Sequence, residues 1–297
     1  MSTGSPHLGF IGFGEAGQAI AAGLREAGVS HIAAWDILFP AAEGERLKSA
    51  AARIGVRIAD SAADAVRDAD LVLSAVTAAS SLEAARSVAA SLTGQPFFLD
   101  INSVSPGRKQ ETAALLGAKA RYVDLAVMAP VHPALHRTAM LLAGPHAAAI
   151  APVLSAWQMR VSVAGDRVGA AAAIKMVRSV MVKGLEALTL ECFLAASRAG
   201  VVEEVTASLA KSYPGLDWPR MVGYNLERMA SHGARRAAEM EEVADTLREL
   251  GVAPLMASAT VQRQREMGEI GKDPAVRASL AGGPASLLAA VDAAAER

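Results

Sequence analysis

Cysteine is almost missing from this chain: Cys192 is the single one among 297 residues. One thiol excludes an intramolecular disulfide. With no basic stretch in the opening MSTGSPH, it points to a reducing, cytoplasmic setting. An excess of charge of one sign is missing as well. Twenty-nine Lys and Arg stand against 30 Asp and Glu, a net charge of −1, so nothing calls for nucleic acid or a membrane surface as partner. Long apolar spans are missing too. The longest uncharged run, 138–159, is broken by Gly144-Pro145 and Pro152 and carries His146 and Gln158; it reads as strand, turn and helix, not as a membrane span. No His/Cys/Asp spacing suggests a metal site, and no Ser-His-Asp order is motivated.

What the chain does have is apolar content: 52% hydrophobic against 20% charged residues, enough for a large core and too much for disorder. In the first half, short apolar runs alternate with amphipathic stretches. The strands expected are 7–12, 31–35, 71–76, 96–100, 122–127, 139–144 and 159–164. Helical patterns such as EAGQAIAAGLREAG and SSLEAARSVAASL lie between them. This alternation predicts an α/β first domain, a mostly parallel sheet covered by helices, over 1–165. From 166 to about 200 the pattern is one long helix without proline, opening an all-α second domain over 166–297. That domain is expected to break at SYPGLDWP (212–219) and GKDP (271–274), with a last short helix and a frayed tail at its end.

The first strand runs directly into GFGEAG, which is G-x-G-x-x-G with Gly12, Gly14 and Gly17. The first glycine allows the tight turn, the second admits a pyrophosphate to the backbone, and the third lets helix and strand pack closely. The helix N-terminus that follows, with Phe13, Glu15 and Ala16 around it, offers N–H groups and a favourable dipole to phosphates. A second strand then ends in Asp36, 19 residues after Gly17, close to the spacing of about 20 at which a carboxylate meets the ribose hydroxyls. No arginine stands beside it in WDILFP, so NAD is expected over NADP. The bland alternative is a glycine-rich structural turn, and the completeness of the context argues against it.

In VGAAAAIKMVRS (168–179), one lysine, Lys175, sits among small apolar residues on the long helix. A lysine there either snorkels to solvent or faces a cavity where an amine does chemistry. Together, the fingerprint, the later strands and this helix resemble the β-hydroxyacid dehydrogenase superfamily, which includes 6-phosphogluconate and 3-hydroxyisobutyrate dehydrogenases. The resemblance covers most of the chain and is strongest over 7–180. It implies a Rossmann-type domain joined by a long helix to an all-helical domain, an active site in the cleft between them, and a homodimer or tetramer. It places Ala75, Val76 and Thr77 under the nicotinamide ribose, and Asn102 and Ser103 against nicotinamide and substrate. The substrate-carboxylate segment D-x-x-V-S-G-G is here DLAVMAP (124–130), with Met128, Ala129 and Pro130 in place of Ser-Gly-Gly. The catalytic pattern G-x-x-x-x-x-K-x-x-x-N is matched by Gly169, Lys175 and Ser179, with serine for asparagine. Val182 stands where decarboxylating relatives carry a glutamate, so decarboxylation is not expected. A Lys-Asp pair of the better-known members falls near Ala238 and Glu239, and His232, Arg235 and Arg236 are the nearest substitutes.

The resulting expectation is an NAD(P)-dependent dehydrogenase of a small hydroxyacid or sugar-acid-like alcohol. Lys175 is its base, favoured as the free amine where the surroundings are apolar. Ser179, Asn102, Ser103 and Met128 line the substrate, and Arg235 is a candidate for its carboxylate. An imine reductase on the same scaffold and a non-catalytic dinucleotide-binding protein are the alternatives. Lys183 and Glu186 continue the Lys175 face and read as a solvated stripe; Cys192 reads as a core residue of the long helix; His132 reads as a loop residue.

Overall fold

A computed structural model of the chain describes residues 6–295. Most of the MSTGSPH opening, on which the expectation about compartment rests, lies outside the described residues, as do the last two residues of the tail. The chain divides into two compact units, Met1–Met176 and Val177–Arg297.

The first unit is built on eight strands: β1 (His7–Ile11), β2 (His31–Trp35), β3 (Arg57–Ile58), β4 (Leu71–Ser74), β5 (Phe97–Asp100), β6 (Arg121–Val127), β7 (Met140–Ala143) and β8 (Val161–Gly165). They form one sheet in the order β3-β2-β1-β4-β5-β6-β7-β8. Every neighbouring pair is parallel except β6 and β7. All seven expected strands are present. The eighth, β3, is two exposed residues with no apolar pattern to announce it. Helices α1 (Glu15–Glu26), α2 (Glu45–Ile54), α3 (Ala62–Val66), α4 (Ser81–Ala89), α5 (Pro106–Leu116) and α6 (Ala147–Ala156) complete the unit. The apolar run 138–159 is β7, a turn and α6, as its glycine and prolines imply.

Both faces of the sheet are covered, which is why its strands read as continuous apolar runs. Alternate side chains go to opposite sides. Phe10, Leu71, Leu73, Phe97 and Leu99 join one cluster with Ile20 and Leu24 of α1. Ile11, Val72 and Phe98 join another with Val88 of α4 and Leu116 of α5. Strand order reverses at β1, between β2 and β4, so the crevice outside the carboxyl ends of β1, β4 and β5 is where such a sheet takes ligands. Those ends lead into residues 12–17, 75–77 and 101–105.

Helix α7 (Ala170–Ala199) begins in the first unit and continues into the second. It starts four residues later than its pattern suggests, because Gly169 takes φ +92° and stops the helix from extending backward. Its first turn packs with the sheet: Ala171 is buried against Ala126 of β6 and Ala143 of β7. The compact unit therefore closes after 176, inside the helix, whereas the expected boundary lies before it, at 165.

The second unit continues with α8 (Val202–Ser212), α9 (Trp218–Glu249), α10 (Leu255–Ile270), α11 (Pro274–Ser279) and α12 (Gly283–Ala295). Its core gathers Leu190 and Phe193 of α7, Leu226 and Met229 of α9, Met267 of α10, and Leu287 and Val291 of α12. The two expected interruptions are present. A third, between α9 and α10, was not expected; there Gly251 takes φ +73° shortly before Pro254. Helices α9 and α10 pack with almost no gap: a Cβ on Gly233 would lie 2.5 Å from the carbonyl oxygen of Gln264. Cys192 is exposed, not in the core. Leu190 and Phe193 take the inward positions of that turn, which turns 191 and 192 outward. The segment Pro274–Ala295 is long and apolar enough to cross a membrane by length and composition, but its Val276, Leu287, Leu288 and Val291 are buried in the helical core.

Candidate active site

The fingerprint loop has the geometry its glycines imply. Gly12 takes φ +89°, and a Cβ on it would lie 2.3 Å from the carbonyl oxygen of Ala75. A Cβ on Gly17 would lie 2.7 Å from the carbonyl oxygen of Gly12. Gly14 differs: a Cβ there would meet nothing within 4 Å, so the backbone is bare at the start of α1, where no side chain caps the helix. An open, uncapped helix N-terminus suits a pyrophosphate, and the residues present fit a dinucleotide. Phe13 turns its ring into the core, edge-on to Phe10. Its N–H donates to Asp36 Oδ2 at 2.7 Å, and the N–H of Leu38 donates to Asp36 Oδ1 at 3.0 Å. Asp36 thus holds the loop through both of its oxygens. A carboxylate has about four acceptor sites, so two bonds leave capacity for ribose hydroxyls.

The 75–77 segment is tied to the next strand end through Asn102. Its Oδ1 accepts the Val76 N–H at 2.7 Å and its Nδ2 donates to Ser74 Oγ at 3.0 Å. Asn102 is buried, and its amide therefore holds the loop at the end of β4. Ser103, the next residue, meets the lysine: Lys175 Nζ donates to Ser103 Oγ at 2.5 Å. The structure thus brings together two of the residues singled out from the sequence, 72 positions apart. Lys175 is half-buried, neither snorkelling freely nor sealed in the core. Met128 is half-buried and packs on the alanine cluster of Ala126, Ala143 and Ala171. His132 is exposed in the loop after β6.

Under this pair lies a group of charged side chains that sequence patterns did not single out. Lys109 of α5 is fully buried. Its Nζ donates to the Asp100 carbonyl at 2.6 Å and lies 3.1 Å from Asp100 Oδ1 and 3.6 Å from Asp124 Oδ1. The Tyr122 hydroxyl donates to Asp100 Oδ2 at 2.8 Å. Burial, reinforced by the charges of Asp100 and Asp124, pushes the Tyr122 phenol well above its usual range, so it stays a donor. A signal for Lys109 was available. It shares one α5 face with Thr112 and Leu116, at i+3 and i+7, and all three are buried.

In the second unit the expected solvated stripe is corrected. Lys183 and Glu186 are buried. Lys183 pairs with Glu239 at 2.9 Å and donates to Ser179 Oγ at 3.3 Å. Glu186 accepts from Arg236 Nε at 2.8 Å and from Gln264 Nε2 at 3.0 Å. Both charges find partners on α9 or α10, which the α7 sequence could not announce. Ser179 is buried, whereas Arg235 is half-exposed and 4.0 Å from Glu239. Arg236 is the arginine that reaches inward.

His136, not singled out from the sequence, is buried against α1, where a Cβ on Gly23 would fall on its ring. Burial, and secondarily the Arg137 charge, hold its pKa below the usual 6.5. The unfolded chain therefore takes up this proton at higher pH than the folded one. Stability from the neutral ring is present above about pH 6.5 and is lost as pH falls through the window below it. Melting temperatures at about pH 7.5 and about pH 5.5 should differ more for the wild type than for His136→Gln. Equal differences would exclude His136 as a source of acid sensitivity.

Residues 7–103 match a family model described as NADP oxidoreductase, coenzyme F420-dependent, and 196–270 match a domain of unknown function, DUF1932. The solved structure of a conserved hypothetical protein from Sinorhizobium meliloti is 36% identical, covers 98% of this chain and 97% of its own, and superposes with a TM-score of 0.77. A conserved protein of unknown function, MTH1747, described as structurally similar to 3-hydroxyacid dehydrogenases, is 30% identical over 89% of this chain and 97% of its own, with a TM-score of 0.71. The 3-hydroxyisobutyrate dehydrogenase of Mycobacterium tuberculosis, solved with L-serine, shares the fold at 20% identity, over 98% of this chain and 99% of its own, with a TM-score of 0.73.

Proposed function

This chain belongs to the β-hydroxyacid dehydrogenase-like family, in a branch with a DUF1932 C-terminal domain, and on that premise we propose that it is an NAD-dependent oxidoreductase interconverting a small hydroxyacid, or a sugar-acid-like alcohol, with its oxo form. The observation that carries the reading is the Lys175–Ser103 hydrogen bond at the carboxyl end of a sheet whose glycine loop is open at Gly14. Lys175 Nζ is the group that takes the hydroxyl proton in oxidation and returns it in reduction. Ser103 Oγ holds that nitrogen in place. Bound dinucleotide supplies the hydride acceptor or donor. The backbone of 12–17, with Asp36 and residues 75–77, is the part of the chain that would hold it.

Ser179 and Arg235 belong to the second unit, and their assignment to substrate rests on the family resemblance. So does the expectation of a homodimer or tetramer, which the exposed Met181, Leu185 and Leu188 of α7 support. The presence of Lys175 favours the dehydrogenase over an imine reductase, which has no need of a base for a hydroxyl.

The test is NADH consumption with a series of short oxoacids and, separately, cyclic imines. Consumption with an oxoacid supports the proposal. Consumption with imines alone favours the imine reductase, and NADH binding without consumption on either series favours a non-catalytic protein. The choice of cofactor has its own test in Asp36→Asn, which keeps an acceptor for the Phe13 N–H and removes the charge. The preference for NAD over NADP should fall by about tenfold, or 1.4 kcal/mol. Tighter binding of NADP than of NAD by the wild type would overturn the reading of Asp36.

A further inference from the structure

We propose that Lys109 is a positioning residue that sets the distance between Ser103 and Lys175; the proposal rests on the reading of Lys175 as the acid–base group. Ser103 and Lys175 sit on separate backbone segments, and each segment is held by one of the two carboxylates that Lys109 joins. Asp100 Oδ1 accepts the Asn102 N–H at 3.0 Å, which fixes the loop immediately before Ser103. Asp124 Oδ2 accepts the Ala172 N–H at 3.0 Å. Ala172 lies in the first turn of α7, where N–H groups have no partner within the helix and a negative charge is favoured. Lys175 follows within one helical turn. The Lys109 ammonium lies between the two carboxylates, 3.1 Å from Asp100 Oδ1 and, as an ion pair without a hydrogen bond, 3.6 Å from Asp124 Oδ1.

A brace needed only for stability has a simpler solution, because well-packed apolar residues often serve as well as buried ions or better. Three buried charges with two backbone N–H groups as their outward contacts do something apolar packing cannot. They fix two segments by directional bonds, so that a shift in one carboxylate moves either Ser103 or Lys175. The Tyr122 hydroxyl on Asp100 Oδ2 restricts that carboxylate further.

The test uses the full-length protein labelled with ¹³C at the lysine Cε, the Lys175 resonance being assigned by its loss in Lys175→Arg. In Lys109→Met the Lys175 resonance and its titration midpoint should move from their wild-type values. The rate should fall in kcat by about tenfold or more with NADH affinity within about twofold. Ser103→Ala should then lower kcat far less in the Lys109→Met background than in the wild type, because both changes act on one contact. Tyr122→Phe removes one hydroxyl and keeps the shape of the ring, so it tests the same claim if Lys109→Met does not fold; it too should displace the Lys175 resonance. A Lys175 resonance that stays at its wild-type position and midpoint in a folded variant, with only the melting temperature lowered, overturns the proposal. So does additivity of the Ser103→Ala and Lys109→Met effects. If the wild type turns over no hydroxyacid, the functional reading fails, while the resonance still decides the positioning role.

Discussion

Replacing Lys175 by alanine is expected to lower kcat by about a thousandfold, within the range that a positioned acid–base group contributes, while leaving the dissociation constant for NADH within about twofold. The expectation follows from where the side chain ends. Its nitrogen bonds to Ser103 Oγ, and the loop suited to the dinucleotide phosphates, at Gly14, is formed by other residues. Lys175→Arg should rescue little of the oxidation rate, because a guanidinium stays protonated and cannot accept the hydroxyl proton. Steady-state rates with a fluorescence titration of NADH separate the two quantities. A Lys175→Ala enzyme within about tenfold of wild type would remove Lys175 from the chemistry.

The second large effect is on stability. Glu186 is 1% exposed and receives both Arg236 and Gln264. Glu186→Leu leaves the Arg236 guanidinium buried without its carboxylate, which should destabilise the protein by about 3–5 kcal/mol. The double variant Glu186→Leu/Arg236→Leu removes the stranded charge and should recover most of that loss. Urea unfolding followed by far-ultraviolet circular dichroism measures both. A double variant no more stable than Glu186→Leu would show that the pair is not the source of the loss.

These two side chains also mark where the sequence is legible and where it is not. Lys175 stands out because its neighbours along one helix, Ala171, Ala172 and Met176, are apolar and buried; a local mismatch can be seen locally. Gly12, Gly14, Gly17 and Asp36 are equally visible, since a tight turn, a bare helix start and a strand end occur at fixed short spacing. The strands of the sheet declare themselves through apolar runs covered on both faces. Glu186 gives no such signal. Its partners lie 50 and 78 residues further on, and periodicity within α7 cannot distinguish a charge awaiting a distant arginine from one facing water. Lys109 is a mixed case: it shares a face with Thr112 and Leu116 at helical spacing, but its neighbours Arg108, Gln110 and Glu111 make the segment look solvated. Cys192 fails for a different reason. Helix α7 has apolar residues on its exposed side, among them Met181 and Leu188, so being apolar there does not mean being inside. Asn102 can be placed after a strand from the sequence, but the bonds that tie it to Val76 and Ser74 depend on the ends of β4 and β5 meeting, which follows from sheet order and not from spacing.

The proposed reaction passes a hydride between a nicotinamide and the carbonyl carbon of an oxoacid, with the proton handled by Lys175. The most direct measurement is the fate of the label when the wild type is given NADH deuterated at the transferable position of the nicotinamide together with the series of short oxoacids. The expected product is a hydroxyacid carrying one deuterium on its carbinol carbon by mass spectrometry, with no such product from Lys175→Ala over the same interval. Deuterium found in no hydroxyacid, or found equally with Lys175→Ala, would contradict it.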